Sequence, residues 1–172
     1  KLDNKLKMLA DYKEIPEDNI MSYDEDTLMA LYDELEQDFL DDKEDKKFNH
    51  RLIIFDDVGY SGSLKNKQAG VISKLISNGR HLGLSQIYTS QRFSMCSSIM
   101  KSNVTAACFG NTSMAELELI SESFNYLKTK KDFVNLFRVY TAEPRSFLCV
   151  NFTDPNGIYQ DSEFKTINTK GL

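Results

Sequence analysis

The sequence predicts an α/β fold, a three-layer domain built on a mainly parallel β-sheet. Three observations point there. Residues 51–55 read R-L-I-I-F, a run with four apolar residues that ends abruptly in Asp56 and Asp57, the pattern of a buried strand delivering acids to its carboxyl end. Residues 67–78 then place Ala69, Val71, Ile72, Leu75 and Ile76 at helical spacing, and residues 84–90 form a second strand that ends at Gln91. Strand, helix, strand in this order is expected to form a right-handed parallel crossover. After it the pattern repeats, with a short helix at 97–101 and another apolar strand at 104–109, ending at Gly110 and Asn111.

The remaining elements follow in order. A short polar helix precedes Pro16, and residues 26–40 place Leu28, Leu31, Tyr32, Leu35 and Phe39 three and four apart, an amphipathic helix that residues 23–27 lead into. Its acidic outer face is expected to run into a loop at 41–47. The strand at 51–55 leads to G-Y-S-G-S-L, a glycine- and serine-rich turn, and Gly79 suits the carboxyl-terminal cap of the helix after it. Residues 113–126 carry Met114, Leu117, Ile120 and Phe124 on one helical face. Two closing strands, at 145–152 and in the F-K-T-I of 164–167, are joined by a turn at D-P-N-G, residues 154–157, and are open to antiparallel pairing. No internal repeat or low-complexity linker divides the chain.

A length of 172 residues fits a single domain spanning 1–172, and 41% hydrophobic content with 11 Phe and 8 Tyr supplies a core. No apolar run approaches the roughly 20 residues needed to cross a bilayer, so membrane insertion is not expected. Net charge is −5, with the acids gathered in residues 24–45, which argues against a generally basic nucleic-acid-binding surface. Local basic patches remain at residues 65–74 and at Lys128, Lys130 and Lys131, each either a DNA-facing edge or a solvated helix face. Cys96, Cys108 and Cys149 lack C-x-x-C spacing, and neither His50 nor His81 lies at ligand spacing from them. They read as buried thiols, neither a zinc site nor a catalytic nucleophile.

Asp56 and Asp57 form a Walker B-like pair. In open parallel sheets ligands sit in the crevice at the carboxyl ends of the strands, where a phosphate-bound magnesium ion takes a hard oxygen ligand. The competing reading is an ordinary turn, since Asp favours strand ends. The second strand ending in Gln91 tips the balance toward nucleotide hydrolysis. The phosphate cradle GxxxxGK[ST] does not occur in the 172 residues. The chain starts at Lys1 without an initiator Met and reads as an incomplete piece, so the first strand and phosphate loop are expected in sequence that precedes it. Taken alone, these residues are expected to bind nucleotide poorly.

The combination L-I-I-F-D-D, then N-G-R-H-L-G-L-S-Q-I-Y-T-S-Q, then I-M-K-S-N-V-T resembles the poxvirus-type DNA-packaging ATPases of large DNA viruses, in the FtsK/HerA group. The resemblance covers roughly residues 15–155, and N-G-R-H followed by a strand ending in Ser-Gln is its most specific portion. It implies a RecA-like P-loop NTPase core, here without its phosphate-loop unit, that assembles as a homo-oligomeric ring and drives double-stranded viral DNA into a preformed capsid. It also implies ATP and Mg2+ as cofactors, capsid vertex proteins as partners, and action in the host cytoplasm, at the viral factory, or in the virion.

Carried over residue by residue, the resemblance gives Asp56 to magnesium, directly or through water. Asp57 becomes the general base, a role worth about 10²- to 10⁴-fold in rate. Gln91 becomes the sensor that holds the attacking water or reads the γ-phosphate, against the plainer reading of an amide capping a loop. Arg80 becomes an arginine finger aimed at a neighbouring subunit's ATP, worth about 10³- to 10⁵-fold, against the plainer reading of an arginine bonding helix-end carbonyls; Arg92 rivals it. Asn103 matches a recurring polar position, His81 bonds locally, and Lys101 stands where the family often has Arg. A DNA-facing loop is expected at residues 59–67. Two rivals stand beside this reading: another FtsK/HerA-type pump, for conjugation or chromosome segregation, and a ring or scaffold subunit that does not hydrolyse nucleotide.

Overall fold

The computed structural model describes residues 4–45, 50–57, 70–155 and 157–170. Helix α1 (Asn4–Tyr12) precedes the long α2 (Glu25–Asp45). Asp24 starts α2 by accepting hydrogen bonds from the Thr27 amide (2.8 Å) and hydroxyl (2.6 Å), which satisfies an amide that the helix itself leaves without a partner. Those two bonds hold the Asp24 carboxyl below its ordinary range. The helix continues through Asp45, so the loop expected at 41–47 does not begin at Asp41. Asp38 on α2 pairs with Arg51, the first residue of β1 (Arg51–Phe55).

Helix α3 (Val71–Asn78) runs from Gly70 into a 3-10 turn (Gly79–Leu82) and then β2 (Leu84–Tyr88). The strand–helix–strand reading holds, with β1 and β2 parallel and Phe55 opposite Tyr88. Gly79 is the carboxyl-terminal cap of α3, as the sequence suggests, its amide donating to the Leu75 carbonyl, but without the left-handed backbone such caps often take. Its backbone is right-handed helical, and Gly83 (φ 69°) takes the left-handed position instead. What excludes a side chain at Gly79 is Gln86, whose Nε2 would lie 2.3 Å from an added Cβ. Gln86 is tied there because Nε2 donates to the Leu75 carbonyl (2.7 Å) and Oε1 accepts from the Tyr88 hydroxyl (2.6 Å).

Beyond β2 come α4 (Ser98–Asn103, capped by Ser97), β3 (Ala106–Phe109), α5 (Met114–Phe124, capped by Ser113) and α6 (Lys130–Tyr140, capped by Thr129). Strands β4 (Leu148–Asn151) and β5 (Tyr159–Gln160) close the sheet. Reading the sequence alone assigns no element to α6, although Phe133, Leu136, Phe137 and Tyr140 have helical spacing and the first three are buried.

The α/β character and a small parallel sheet are present and the closing strands are antiparallel, as the sequence left open, but the described strands are not mainly parallel. Among the described residues there is one parallel pair, β1–β2, and a separate antiparallel sheet in the order β3–β4–β5. Connection parity gives the reason. Among the described residues one α-helix, α3, lies between β1 and β2, a crossover that returns the chain to the end where it started, and the strands run parallel. The two helices α5 and α6 between β3 and β4 deliver the chain to the opposite end, so the pair is antiparallel. The second closing strand is also corrected. β5 pairs with β4, whereas residues 164–167 contribute an isolated bridge, Thr166 to Gln160. Asp161 Oδ1 accepts the amides of Glu163 and Lys165, and Phe164 stands at φ 60°, a turn that keeps F-K-T-I out of the ladder.

Two hydrophobic clusters hold these pieces. One joins Leu28, Tyr32 and Leu35 of α2 to Val71, Ile72 and Leu75 of α3, Phe55, Leu84 and Met100. The other joins α5 and α6 to Leu148, Val150 and Tyr159, and Val104 packs against both. Burying each Leu, Phe or Ile contributes about 1.5–3 kcal/mol. Strand β1 is not buried on both faces as its sequence suggests. Leu52 is 55% and Ile54 40% exposed, beside Ile87 at 48%. The three-layer expectation is therefore met on one side of the β1–β2 pair, and among the described residues no helix covers the other.

Candidate functional site

The parallel register of β1 and β2 creates the site. With Phe55 opposite Tyr88, the next residues of the two strands, Asp56 and Thr89, stand side by side, and the Thr89 amide extends the ladder by donating to the Phe55 carbonyl (2.9 Å). The Thr89 hydroxyl donates to Asp56 Oδ1 (2.7 Å) and accepts the Asp57 amide (2.9 Å). Gln91 Nε2 donates to Asp57 Oδ2 (2.8 Å). Asp56, Asp57 and Gln91, singled out by the sequence, thus form one exposed hydrogen-bonded cluster at the carboxyl ends of the parallel strands.

Asp57 occupies the left-handed region, φ 50°, which costs a side-chain-bearing residue about 1–3 kcal/mol unless its surroundings fix it. Here the Thr89 hydroxyl holds its amide and Gln91 its carboxylate. Reading the sequence missed Thr89 as a site residue. The signal, a Thr one residue past the β2 strand, acquires meaning only when the register sets it against Asp56. Ser90 steadies the turn, its Oγ donating to the Arg92 carbonyl (3.0 Å).

Arg80 is not part of this cluster. It is exposed in the 3-10 turn that leads into β2, so the five residues of β2, a span of roughly 16 Å, separate its end of the strand from the acids. Arg92 lies on the acid side, next to Gln91, and faces Glu116. Burial tends to raise the Glu116 carboxyl, but the Ser94 hydroxyl and amide, Arg92 and the Phe93 amide together hold it below its ordinary range. The other flagged residues have local roles. Asn103 donates to the Ile99 carbonyl (2.8 Å), Lys101 lies 4.1 Å over the Phe93 ring, and His81 is exposed. The DNA-facing loop expected at 59–67 lies outside the described residues. Of the basic stretch 65–74, Lys74 lies 5.6 Å over the Tyr32 ring, while Lys130 pairs with Glu118 at 3.6 Å.

No group of three or more His, Cys, Asp or Glu suited to a metal ion exists among the described residues. A single carboxylate with an uncommitted oxygen is what magnesium already bound to nucleotide phosphates takes from a protein. Asp56 fits that description: among the described residues its Oδ1 receives Thr89 and its Oδ2 has no hydrogen bond. No helix of the described residues is long and apolar enough to cross a membrane.

A family model described as Poxvirus A32 protein matches residues 14–162. Over 110 residues, 63% of this chain, the sequence is 29% identical to DNA packaging protein OPG160 of vaccinia virus (strain Copenhagen) and of Monkeypox virus, and the matches cover 39% and 35% of those proteins. The chain therefore spans well under half the length of these relatives. Among solved structures, the genome packaging NTPase B204 of Sulfolobus turreted icosahedral virus 2 in complex with AMPPCP superimposes with a TM-score of 0.58 at 19% identity, covering 87% of this chain and 65% of that one. The DNA-packaging ATPase B204 of Sulfolobus turreted icosahedral virus gives 0.56 at 20% identity, over 86% and 66%. At these identities the likeness shows that the fold is shared.

Proposed function

Because the chain belongs to the Poxvirus A32 protein family, whose model matches residues 14–162, we propose that it is the Walker B and sensor portion of a RecA-like ATPase that moves double-stranded viral DNA into the capsid. Homology to viral DNA packaging proteins and a fold shared with packaging NTPases support this. The observation that carries it is the Asp56–Thr89–Asp57–Gln91 cluster at the carboxyl ends of the parallel strands.

In this mechanism magnesium bound to ATP supplies neutralising charge for the phosphates. Asp56 would hold that ion, directly or through water, and the Thr89 hydroxyl on its Oδ1 fixes the carboxylate's orientation. Asp57 takes the proton of the attacking water, contributing about 10²- to 10⁴-fold. Gln91, bonded to Asp57 Oδ2, orients that water. Arg80, remote from its own acids, acts across a subunit interface in a homo-oligomeric ring as the finger. The packaged DNA, capsid vertex partners and a site of action in the host cytoplasm or virion belong to the same proposal.

The test is magnesium-dependent ATPase activity of the complete gene product. Asp57→Asn and Gln91→Ala are expected to lower kcat by about 10²-fold or more, and Arg80→Ala by about 10³-fold. An Asp57→Asn variant as active as wild type sinks the reading, and an active Arg80→Ala variant removes Arg80 and passes its role to Arg92. For the 172-residue chain by itself weak or no ATP binding is expected in calorimetry, and micromolar magnesium-dependent binding would contradict that expectation.

A further inference from the structure

Strands β3 and β4 set two of the three cysteines directly opposite each other, Cys108 against Cys149. Neighbouring rungs show which kind of pair this is. The Phe152 amide donates to the Thr105 carbonyl (3.0 Å), making 105/152 a hydrogen-bonded rung, and antiparallel rungs alternate. Cys108/Cys149, three rungs on, is therefore a non-hydrogen-bonded pair. The other edge agrees, since the Asn151 amide donates to the Ile158 carbonyl (2.7 Å), turning the odd-numbered residues of β4 toward β5. Non-hydrogen-bonded partners have Cα atoms about 4.5 Å apart and side chains on one face, within the roughly 4.4–6.8 Å that a disulfide spans.

Solvent reaches one member of the pair. Cys108 is exposed, against the buried thiol expected from its sequence, and Cys149 is buried at 2% exposure. Burial, and then the hydrogen bond with Cys108, push the Cys149 thiol up to about 12. Leu148 and Val150, on either side of Cys149, point into the α5–α6 core, so the two sulfurs meet on the opposite face of the sheet, where a bond between them leaves the core packing alone.

We propose that Cys108 and Cys149 form an oxidative modification site for a low-molecular-weight disulfide of the glutathione class. The Cys108 sulfur, as thiolate, attacks one sulfur of the small disulfide; a mixed disulfide forms and one small thiol leaves, taking up a proton. The Cys149 thiol then loses its proton and attacks the Cys108 sulfur, releasing the second small thiol. Two protein thiols and one small disulfide become one cross-strand disulfide and two small thiols, so two electrons pass from the protein sulfurs to the reagent. The second step is the slow one, because its nucleophile must give up a tightly held proton. The product ties β3 to β4 across the segment containing α5 and α6. The site stands independently of any ATPase activity.

The test treats the native chain with glutathione disulfide, quenches at intervals by acid and alkylation, and maps peptides by mass spectrometry. Expected are a glutathione adduct on Cys108 that rises and then decays into a Cys108–Cys149 cross-link, reversal by dithiothreitol, and acceleration of the second step by about tenfold per pH unit. Cys149→Ser is expected to stop at the Cys108 adduct, and Cys108→Ser, an exposed substitution, to leave Cys149 unmodified. A wild-type adduct on Cys108 that never resolves, or a cross-link that joins Cys96, overturns the proposal. Should Cys149→Ser unfold the chain, the wild-type time course decides: a cross-link between other thiols, or none, overturns it.

Discussion

The hydroxyl of Thr89 serves both acids, donating to Asp56 and accepting from the Asp57 amide. A net hydrogen bond contributes about 0.5–1.5 kcal/mol, so Thr89→Val is expected to raise hydrogen exchange at the Asp57 amide by up to about tenfold, measured by NMR, while Thr89→Ser keeps it protected. Equal exchange in wild type and Thr89→Val would show that the left-handed Asp57 is fixed by something else. Gly79 makes a second residue-scale prediction. Its backbone is ordinary helix, so Gly79→Ala carries no conformational penalty and would otherwise favour the helix. The added Cβ at 2.3 Å from Gln86 Nε2 reverses the sign, because that amide is held by the Leu75 carbonyl. Thermal or urea unfolding is expected to show a loss of about 1–3 kcal/mol, and a gain in stability would mean that Gln86 yields freely.

Among the elements, α5 is linked to the turn after Gln91 through Glu116, whose carboxylate accepts the Ser94 amide (2.9 Å) and hydroxyl (2.6 Å). Its folded-state carboxyl is depressed. A depressed acid stabilises the fold above its unfolded value, about 4.3, and that contribution disappears as pH falls through the lower folded value. Glu116→Gln is therefore expected to cost about 1 kcal/mol at neutral pH, and the gap from wild type should close below about pH 4. A gap that stays constant down to acid unfolding would point to packing as the source of Glu116's contribution. Cap residues explain why the helices begin where they do, with Ser97, Ser113 and Thr129 each accepting an amide three residues on. These starts are short-range chemistry and readable from sequence. Helix α6 carries the same signals, Thr129, Asp132 and the Phe133, Leu136, Phe137 spacing, beneath a lysine cluster that reads equally as a charged surface.

Across the whole molecule, Val104 packs against both hydrophobic clusters, one of which anchors β1 through Phe55, just before the acids of the candidate site, while the other holds β4 and β5 through Leu148, Val150 and Tyr159. If the two halves unfold together, Val104→Ala, removing two methyl groups at about 0.8 kcal/mol each, is expected to raise hydrogen exchange in β2 and β4 alike. Exchange that rises in one half alone would mean that the clusters are independent folding units. The same frame accounts for the apolar surface at Leu52, Ile54 and Ile87: the helices α2 and α3 cover one face of β1 and β2 and the described residues offer nothing to the other.

By itself the sequence determined the local elements and the identity of the acids. An apolar run stopped by two carboxylates and a helical period between two strands are short-range patterns, and they bring Asp56 and Asp57 to the carboxyl end of β1; β2 ends at Tyr88, short of the strand to residue 90 that the sequence suggests, and Gln91 reaches Asp57 from the turn beyond it. Tertiary structure alone decided how the strands pair. It made β3–β4–β5 an antiparallel sheet apart from β1–β2, replaced F-K-T-I by Tyr159–Gln160 as the closing strand, and set Thr89 between the acids, Arg80 at the far end of β2, and Cys108 against Cys149. Pairing depends on the number of helices between strands and on a register that one residue of slip would undo, and these arise from contacts between residues distant in the chain.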